Sequence, residues 1–257
     1  NDQITVVSSS SSTANNYYSY GSFNTATSTG ISQSIINTSL GNDQITVNTS
    51  SVSTENSFYS YGSFNNASST GISESIINTG LGNDQITINT SSSSAANNYY
   101  SFGSFNNASS MGISGSNINT GLGNDNIFIQ SSADASSYGQ GYQNNNIRSY
   151  GVFGTTINTG EGNDSINISS NSFSETAQNS WWSSSNSNLS SFGLVDSYIN
   201  TGTGDDLLNI EAKSVSQESN SWNWWQSNKN SDSYGIFNSK VETGTGNDTI
   251  KINASAD

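Results

Sequence analysis

The 257-residue chain has no cysteine, no proline and no histidine, and only five basic residues. Without cysteine there is no disulfide framework and no thiolate metal site. Without histidine, imidazole acid/base chemistry is excluded. Hydrophobic residues are 30% of the chain and charged residues 9%. That is little apolar mass for a globular core of ordinary thickness, and such a composition by itself points to disorder. No apolar run is long enough to span a bilayer, and no signal-peptide pattern is read in these residues. The net charge of −14 speaks against nucleic acid and against anionic membrane surfaces as partners. The chain opens on Asn1 without an initiator Met, as expected for part of a longer or processed protein.

What fills the chain is Ser, Asn, Thr and Gly, and their order is periodic. The second residue of an Asn-Asp pair (once Asp-Asp) falls at Asp2, Asp43, Asp84, Asp125, Asp164, Asp206 and Asp248, with spacings of 41, 41, 41, 39, 42 and 42 residues. Other positions keep the same phase. Aliphatic pairs follow each Asp by two and four residues, from Ile4/Val6 and Ile45/Val47 to Leu208/Ile210 and Ile250/Ile252. An aliphatic residue precedes each corner by seven (Ile36, Ile77, Ile118, Ile157, Ile199, Val241), and a Gly by thirteen (Gly30, Gly71, Gly112, Gly151, Gly193, Gly235).

These short alternations of β-branched residues predict half-buried strands, and no helical stripe is present. A strand of a few residues cannot bury its apolar side alone. Stacking each unit on the next at about 4.8 Å puts Ile on Ile and Asn on Asn. The expectation is an all-β protein, a single parallel β-solenoid (β-helix) of six coils of 39 to 42 residues. The coils run approximately 2–42, 43–83, 84–124, 125–163, 164–205 and 206–247, with a partial coil 248–257.

Each coil also makes a longer excursion carrying aromatic doublets: Tyr17/Tyr18, Phe58/Tyr59, Tyr99/Tyr100, Trp181/Trp182 and Trp224/Trp225. The first expectation is a stacked aromatic ladder inside the coil, widening its core. Alternation along this excursion, read as a third strand, would turn the neighbouring ring of each pair outward, making an exposed aromatic column that binds sugars or another copy of the protein.

Stacked coils bring the seven Asp side chains into one file. Bare carboxylates about 4.8 Å apart repel by roughly 1 kcal/mol per neighbouring pair even at water-like screening. The five basic residues (Arg148, Lys213, Lys229, Lys240, Lys251) all lie away from the corner. Carboxylates, backbone carbonyls and glycines that permit positive φ suit a hard divalent cation such as Ca²⁺. The competing expectation is an Asn/Asp ladder whose side chains only cap backbone groups of the turn.

The corner "TGLGNDQITI" resembles the calcium-binding repeat of the repeats-in-toxin (hemolysin-type) family, Gly-Gly-x-Gly-x-Asp-x-aliphatic-x. The match falls on Gly80, Gly82, Asp84 and Ile86, then on Gly121, Gly123, Asp125 and Ile127, and on Gly160, Gly162, Asp164 and Ile166. It continues on Gly202, Gly204, Asp206 and Leu208, and on Gly244, Gly246, Asp248 and Ile250. The first full corner has Ser39 for the leading Gly and keeps Gly41, Asp43 and Ile45. The resemblance implies Ca²⁺ between successive loops, held by loop carbonyls and by the Asp. The sequence departs from the family in two ways. Its first Gly is Thr here (Thr79, Thr120, Thr159, Thr201, Thr243), and the motif comes once per coil rather than in tandem. At most one metal column along one edge is therefore implied.

Three functional classes follow. A secreted, calcium-stabilised structural repeat of a filament, sheath or surface layer fits a chain cut at both ends in the same phase of its repeat, whose open ends invite head-to-tail contact with other copies. Family likeness points the same way, to a bacterial protein folding outside the cell. An adhesin or polysaccharide-binding module would use exposed Tyr and Trp columns. Ice binding is disfavoured, because Thr46 and Thr87 give way to Phe128, Asn167 and Asn209. Catalysis is not expected, since no coil gathers Lys or Arg with carboxylates. Glu55 with Glu74, or Asp196 with Asp205 and Asp206, are read as a solvated acidic face.

Overall fold

The computed structural model describes residues 1–18, 20–59, 61–100, 102–178, 184–220 and 228–257. It is an all-β parallel solenoid of six coils with three strands in each. The first strands are β1 (Gln3–Asn16), β4 (Gln44–Ser57), β7 (Gln85–Asn98), β10 (Asn126–Gly139), β13 (Ser165–Gln178) and β16 (Leu207–Asn220), and β19 (Thr249–Ala256) begins the next coil. The second strands are β2 (Ser22–Ser32), β5 (Ser63–Ser73), β8 (Gly103–Ser114), β11 (Tyr142–Phe153), β14 (Ser184–Val195) and β17 (Asn228–Phe237). The third are short: β3 (Ile35–Asn37), β6 (Ile76–Leu81), β9 (Asn117–Leu122), β12 (Thr156–Asn158), β15 (Tyr198–Asn200) and β18 (Lys240–Glu242). Each class forms its own parallel sheet, in strict coil order.

The register is set by the repeat. Ile4, Ile45, Ile86, Ile127, Ile166, Leu208 and Ile250 form one column of the first sheet. Ile36, Ile77, Ile118, Ile157, Ile199 and Val241 form a column of the third. With Ile31, Ile72, Ile113, Val152 and Leu194 of the second sheet they make the aliphatic core, next to the corner. The glycine before each of those residues is there for close approach. A Cβ on Gly71 would lie 2.4 Å from Cγ2 of Ile88, so only Gly lets the two sheets close over the Ile column.

Away from the corner the interior changes character. The Ser-rich excursions form long strands. Apart from Glu55 and a small apolar cluster of Ala108, Ala133, Ala135, Ile147 and Leu189, what lies inside between them is Ser, Thr, Asn, Gln and further Ala rather than aromatic rings. Hydroxyls bridge the first and second sheets in an unbroken file. Thr90 Oγ1 and Ser110 Oγ are 2.7 Å apart, and each later hydroxyl donates to the one before it: Ser131 to Ser110 (2.8 Å), Ser149 to Ser131 (3.0 Å), Ser170 to Ser149 (2.9 Å) and Ser191 to Ser170 (3.0 Å). A second internal file is an amide ladder. Asn24, Asn65 and Asn106 each donate at 3.0 Å to the side-chain oxygen of the next Asn, ending on Asn145, and each also donates to a backbone carbonyl of the first sheet. Buried polar groups are tolerated when they are bonded to one another. A chain with 30% hydrophobic residues thus gains an ordered interior because its small polar side chains repeat in step.

Candidate functional site

The corner is built from two successive side-chain caps that run in opposite directions. Asn83 N–H donates to Asn42 Oδ1 (2.8 Å), Asn124 N–H to Asn83 Oδ1 and Asn163 N–H to Asn124 Oδ1 (both 2.7 Å), so each Asn serves the following coil. Each Asp serves the preceding one. The N–H of Asp43 donates to Asp84 Oδ1 (2.8 Å), that of Asp84 to Asp125 Oδ1 (2.8 Å), that of Asp125 to Asp164 Oδ1 (2.8 Å) and that of Asp164 to Asp206 Oδ1 (2.9 Å). The N–H of Asp2 donates to Asp43 and that of Asp206 to Asp248. Both N–H groups that leave the ladder at the turn are satisfied in this way. The parallel sheet resumes one residue later, where Gln85 N–H donates to the carbonyl of Asp43 at 2.8 Å.

The glycines let successive turns pack closely on one another. Gly80, Gly82, Gly121, Gly123, Gly160, Gly162, Gly202, Gly204, Gly244, Gly246 and Gly41 all have φ between 80° and 144°. A Cβ on Gly82 would lie 2.0 Å from the carbonyl oxygen of Gly41 in the coil before. Position and backbone conformation both require glycine there.

The acids face inward. Asp43, Asp84, Asp125, Asp164 and Asp206 are 2–3% exposed. Their second carboxylate oxygens, Oδ2, are buried and meet no hydrogen-bond donor. Thr38, Thr79, Thr120, Thr159 and Thr201, each five residues before its Asp, are buried as well. The hydroxyls of Thr38, Thr120 and Thr159 lie close enough to the Asp five residues on to favour its ionised form, but each gives its proton to a backbone carbonyl, so the Oδ2 atoms stay without a donor. Each is directed at a carbonyl of the next coil, Thr120 Oγ1 lying 3.3 Å from the oxygen of Thr159. At Asp43 the Thr38 hydroxyl prevails and holds the carboxyl below its ordinary range. At Asp125 and Asp164 burial prevails and pushes the carboxyl up, at Asp164 to about 6. Mutual repulsion with Asp125 and Asp206 adds to the shift at Asp164.

The donor set can be tested against a metal. All its atoms are hard oxygens, one orphaned carboxylate oxygen is stacked per coil, and the glycine cradle leaves no room for a Cβ. That chemistry fits Ca²⁺. Supply is lean, because each Oδ1 is already engaged. Among the described residues no three acidic, imidazole or thiol side chains converge. Any ion here would draw most of its shell from carbonyls, hydroxyls and water.

The three aromatic doublets among the described residues lie outside the coil, in contrast to the expected inner ladder. Tyr17, Phe58 and Tyr99 stack in one column with ring centroids 5.3 and 5.5 Å apart, and Tyr18, Tyr59 and Tyr100 in a second at 5.1 and 5.2 Å. All six are exposed. They follow the ends of β1, β4 and β7, where the chain turns between the first two sheets, and the interior at that end is filled by small polar side chains. Trp181/Trp182 and Trp224/Trp225 lie outside the described residues. A further column, Tyr150, Phe192 and Tyr234, stacks at 5.0 and 5.2 Å on the outer face of the second sheet, in register with Met111.

The acidic pairs also separate. Glu74 is exposed and accepts a bond from Gln33 at 2.9 Å. Glu55, expected on a solvated face, is instead fully buried. Its Oε1 accepts the hydroxyls of Ser22 and of Ser57 (2.7 Å), and its Oε2 has no partner. Strand parity gives the reason: Glu55 shares the inward side of β4 with Ile45 and Val47. Asp196 sits at a positive-φ turn between β14 and β15, while Asp205 is exposed and Asp206 buried at the corner. No family model matches the chain, and no curated protein or solved structure does.

Proposed function

We propose that this chain is a structural repeat segment of a secreted bacterial filament, sheath or surface layer, stabilised by Ca²⁺ along its acidic corner. The observation that carries this reading is the residue-on-residue register maintained through three parallel sheets from the first coil to the last. A sheet lengthened coil by coil accepts any chain that presents the same columns. Other copies of this protein, joined head to tail, are therefore the favoured partners. Calcium is supported by the buried Oδ2 file, whose oxygens have no hydrogen-bond partner.

The test is negative-stain microscopy with circular dichroism, in calcium and in excess EGTA. Rods that lengthen with concentration and loosen under chelation are expected. A monomeric globule at high concentration, with a spectrum indifferent to EGTA, would remove both halves of the reading.

Exposure of the tyrosine columns favours a second reading, an adhesin or polysaccharide-binding module. Sugars stack on ring faces, however, and in these columns each face is covered by the ring of the neighbouring coil. Only edges and hydroxyls remain available along most of the column, which leaves this reading the weaker.

A further inference from the structure

We propose that Tyr18, Tyr59 and Tyr100, with the adjacent pair Tyr20 and Tyr61, form an oxidative cross-linking site at which a peroxidase–peroxide oxidant joins successive coils through dityrosine bonds. The proposal is independent of calcium and of filament formation.

Three observations carry it. Tyr59 is stacked between Tyr18 and Tyr100 at centroid distances of 5.1 and 5.2 Å, with ring planes within 12° of parallel. Tyr20 and Tyr61 repeat the arrangement at 5.3 Å and 6°. All five rings are accessible to a diffusing oxidant or an enzyme, the least exposed being Tyr59 at 42%. All five also lie in the turns between first and second strands, outside the paired segments. A ring can thus slide toward its neighbour without breaking a ladder hydrogen bond.

The chemistry balances. Each of two tyrosines loses one electron and its phenolic proton, giving two phenoxyl radicals with spin density on the carbons ortho to oxygen. The radicals pair to form one carbon–carbon bond, and the ring hydrogen of each coupled carbon moves to the phenol oxygen as aromaticity returns. The two electrons and two protons reduce one hydrogen peroxide to two waters. In a chain without cysteine, this supplies a covalent tie between coils that a disulfide cannot. Closing a 41-residue loop between Tyr18 and Tyr59 restricts the unfolded chain as a disulfide would.

The neighbouring column is a built-in control. Tyr17 and Tyr99 are separated by Phe58, stacked at 5.3 and 5.5 Å, and phenylalanine has no phenol to oxidise. Dilute protein is treated with a haem peroxidase and hydrogen peroxide, the monomer is isolated, and proteolytic peptides are sequenced by mass spectrometry. The expected joined pairs are Tyr20–Tyr61 together with either Tyr18–Tyr59 or Tyr59–Tyr100, with a higher denaturant midpoint for the cross-linked monomer. Tyr59→Phe should abolish both Tyr59 links and leave Tyr20–Tyr61 intact. Phe58→Tyr should create a new link to Tyr17 or Tyr99. Absence of these peptides from the monomer, links found only in dimers and rising with concentration, or a pattern unchanged by Tyr59→Phe would each overturn the proposal.

Discussion

Asp125 reaches one coil back to accept the backbone N–H of Asp84 at 2.8 Å through Oδ1, while its Oδ2 is buried with no donor. One carboxylate therefore does two separable things. The capping oxygen would survive replacement by asparagine; the orphaned one would become an amide nitrogen able to donate. An unpaired buried polar oxygen costs roughly 1–3 kcal/mol. In EGTA, Asp125→Asn should equal or exceed the parent in stability by up to about that amount. In calcium the order should reverse. Urea titrations in both buffers make the comparison, and a variant that ranks the same way in both would argue against an ion at this corner.

Asp164 gives the pH dependence. Its carboxyl is raised from 3.8 to about 6, chiefly by burial. Between those values the folded chain holds a proton there that the unfolded chain releases, so stability falls as pH rises through the window. In metal-free buffer the melting temperature should drop from pH 4 to pH 6, and Asp164→Asn should flatten that slope. Adding calcium should oppose the drop, because metal binding requires the ionised form.

Gly82→Ala tests the cradle. The added methyl would meet the Gly41 carbonyl at 2.0 Å, at a backbone φ of 136°. A loss greater than about 1 kcal/mol is expected from the conformation alone, measured as a lower urea midpoint. At Gly62 an added Cβ would meet nothing within 4 Å, and φ is not positive, so Gly62→Ala should be close to neutral.

The divided interior predicts two different penalties. Ile127→Ala empties part of the aliphatic core and should cost about 2–5 kcal/mol. Ser149→Ala interrupts the hydroxyl file, where Ser149 donates to Ser131 and accepts from Ser170. It should cost roughly 1–3 kcal/mol despite removing one atom. Phe128→Ser, on the outward side of β10, should stay within about 0.5 kcal/mol. Denaturant midpoints for the three variants would order them.

The sequence by itself determined the period, the parallel stacking and the corner, because a solenoid coil can bury its apolar side only on copies of itself. Ile45 above Ile4 and Asp84 above Asp43 follow from spacing alone. Parity along "ITVNTSSVSTENS" also places Glu55 inside with Ile45, although its charge argued for the surface. What the sequence left open was width. Serine carries no sign of burial, so the inward side of a strand lined with Ser51 and Ser53 is not legible until a facing strand supplies partners such as the backbone carbonyl of Ser68, 2.6 Å from Ser51 Oγ. That second sheet fills the interior with hydroxyls and amides and leaves the tyrosines outside. It was decided by contacts between residues about twenty apart within a coil, which a repeat of about forty does not encode.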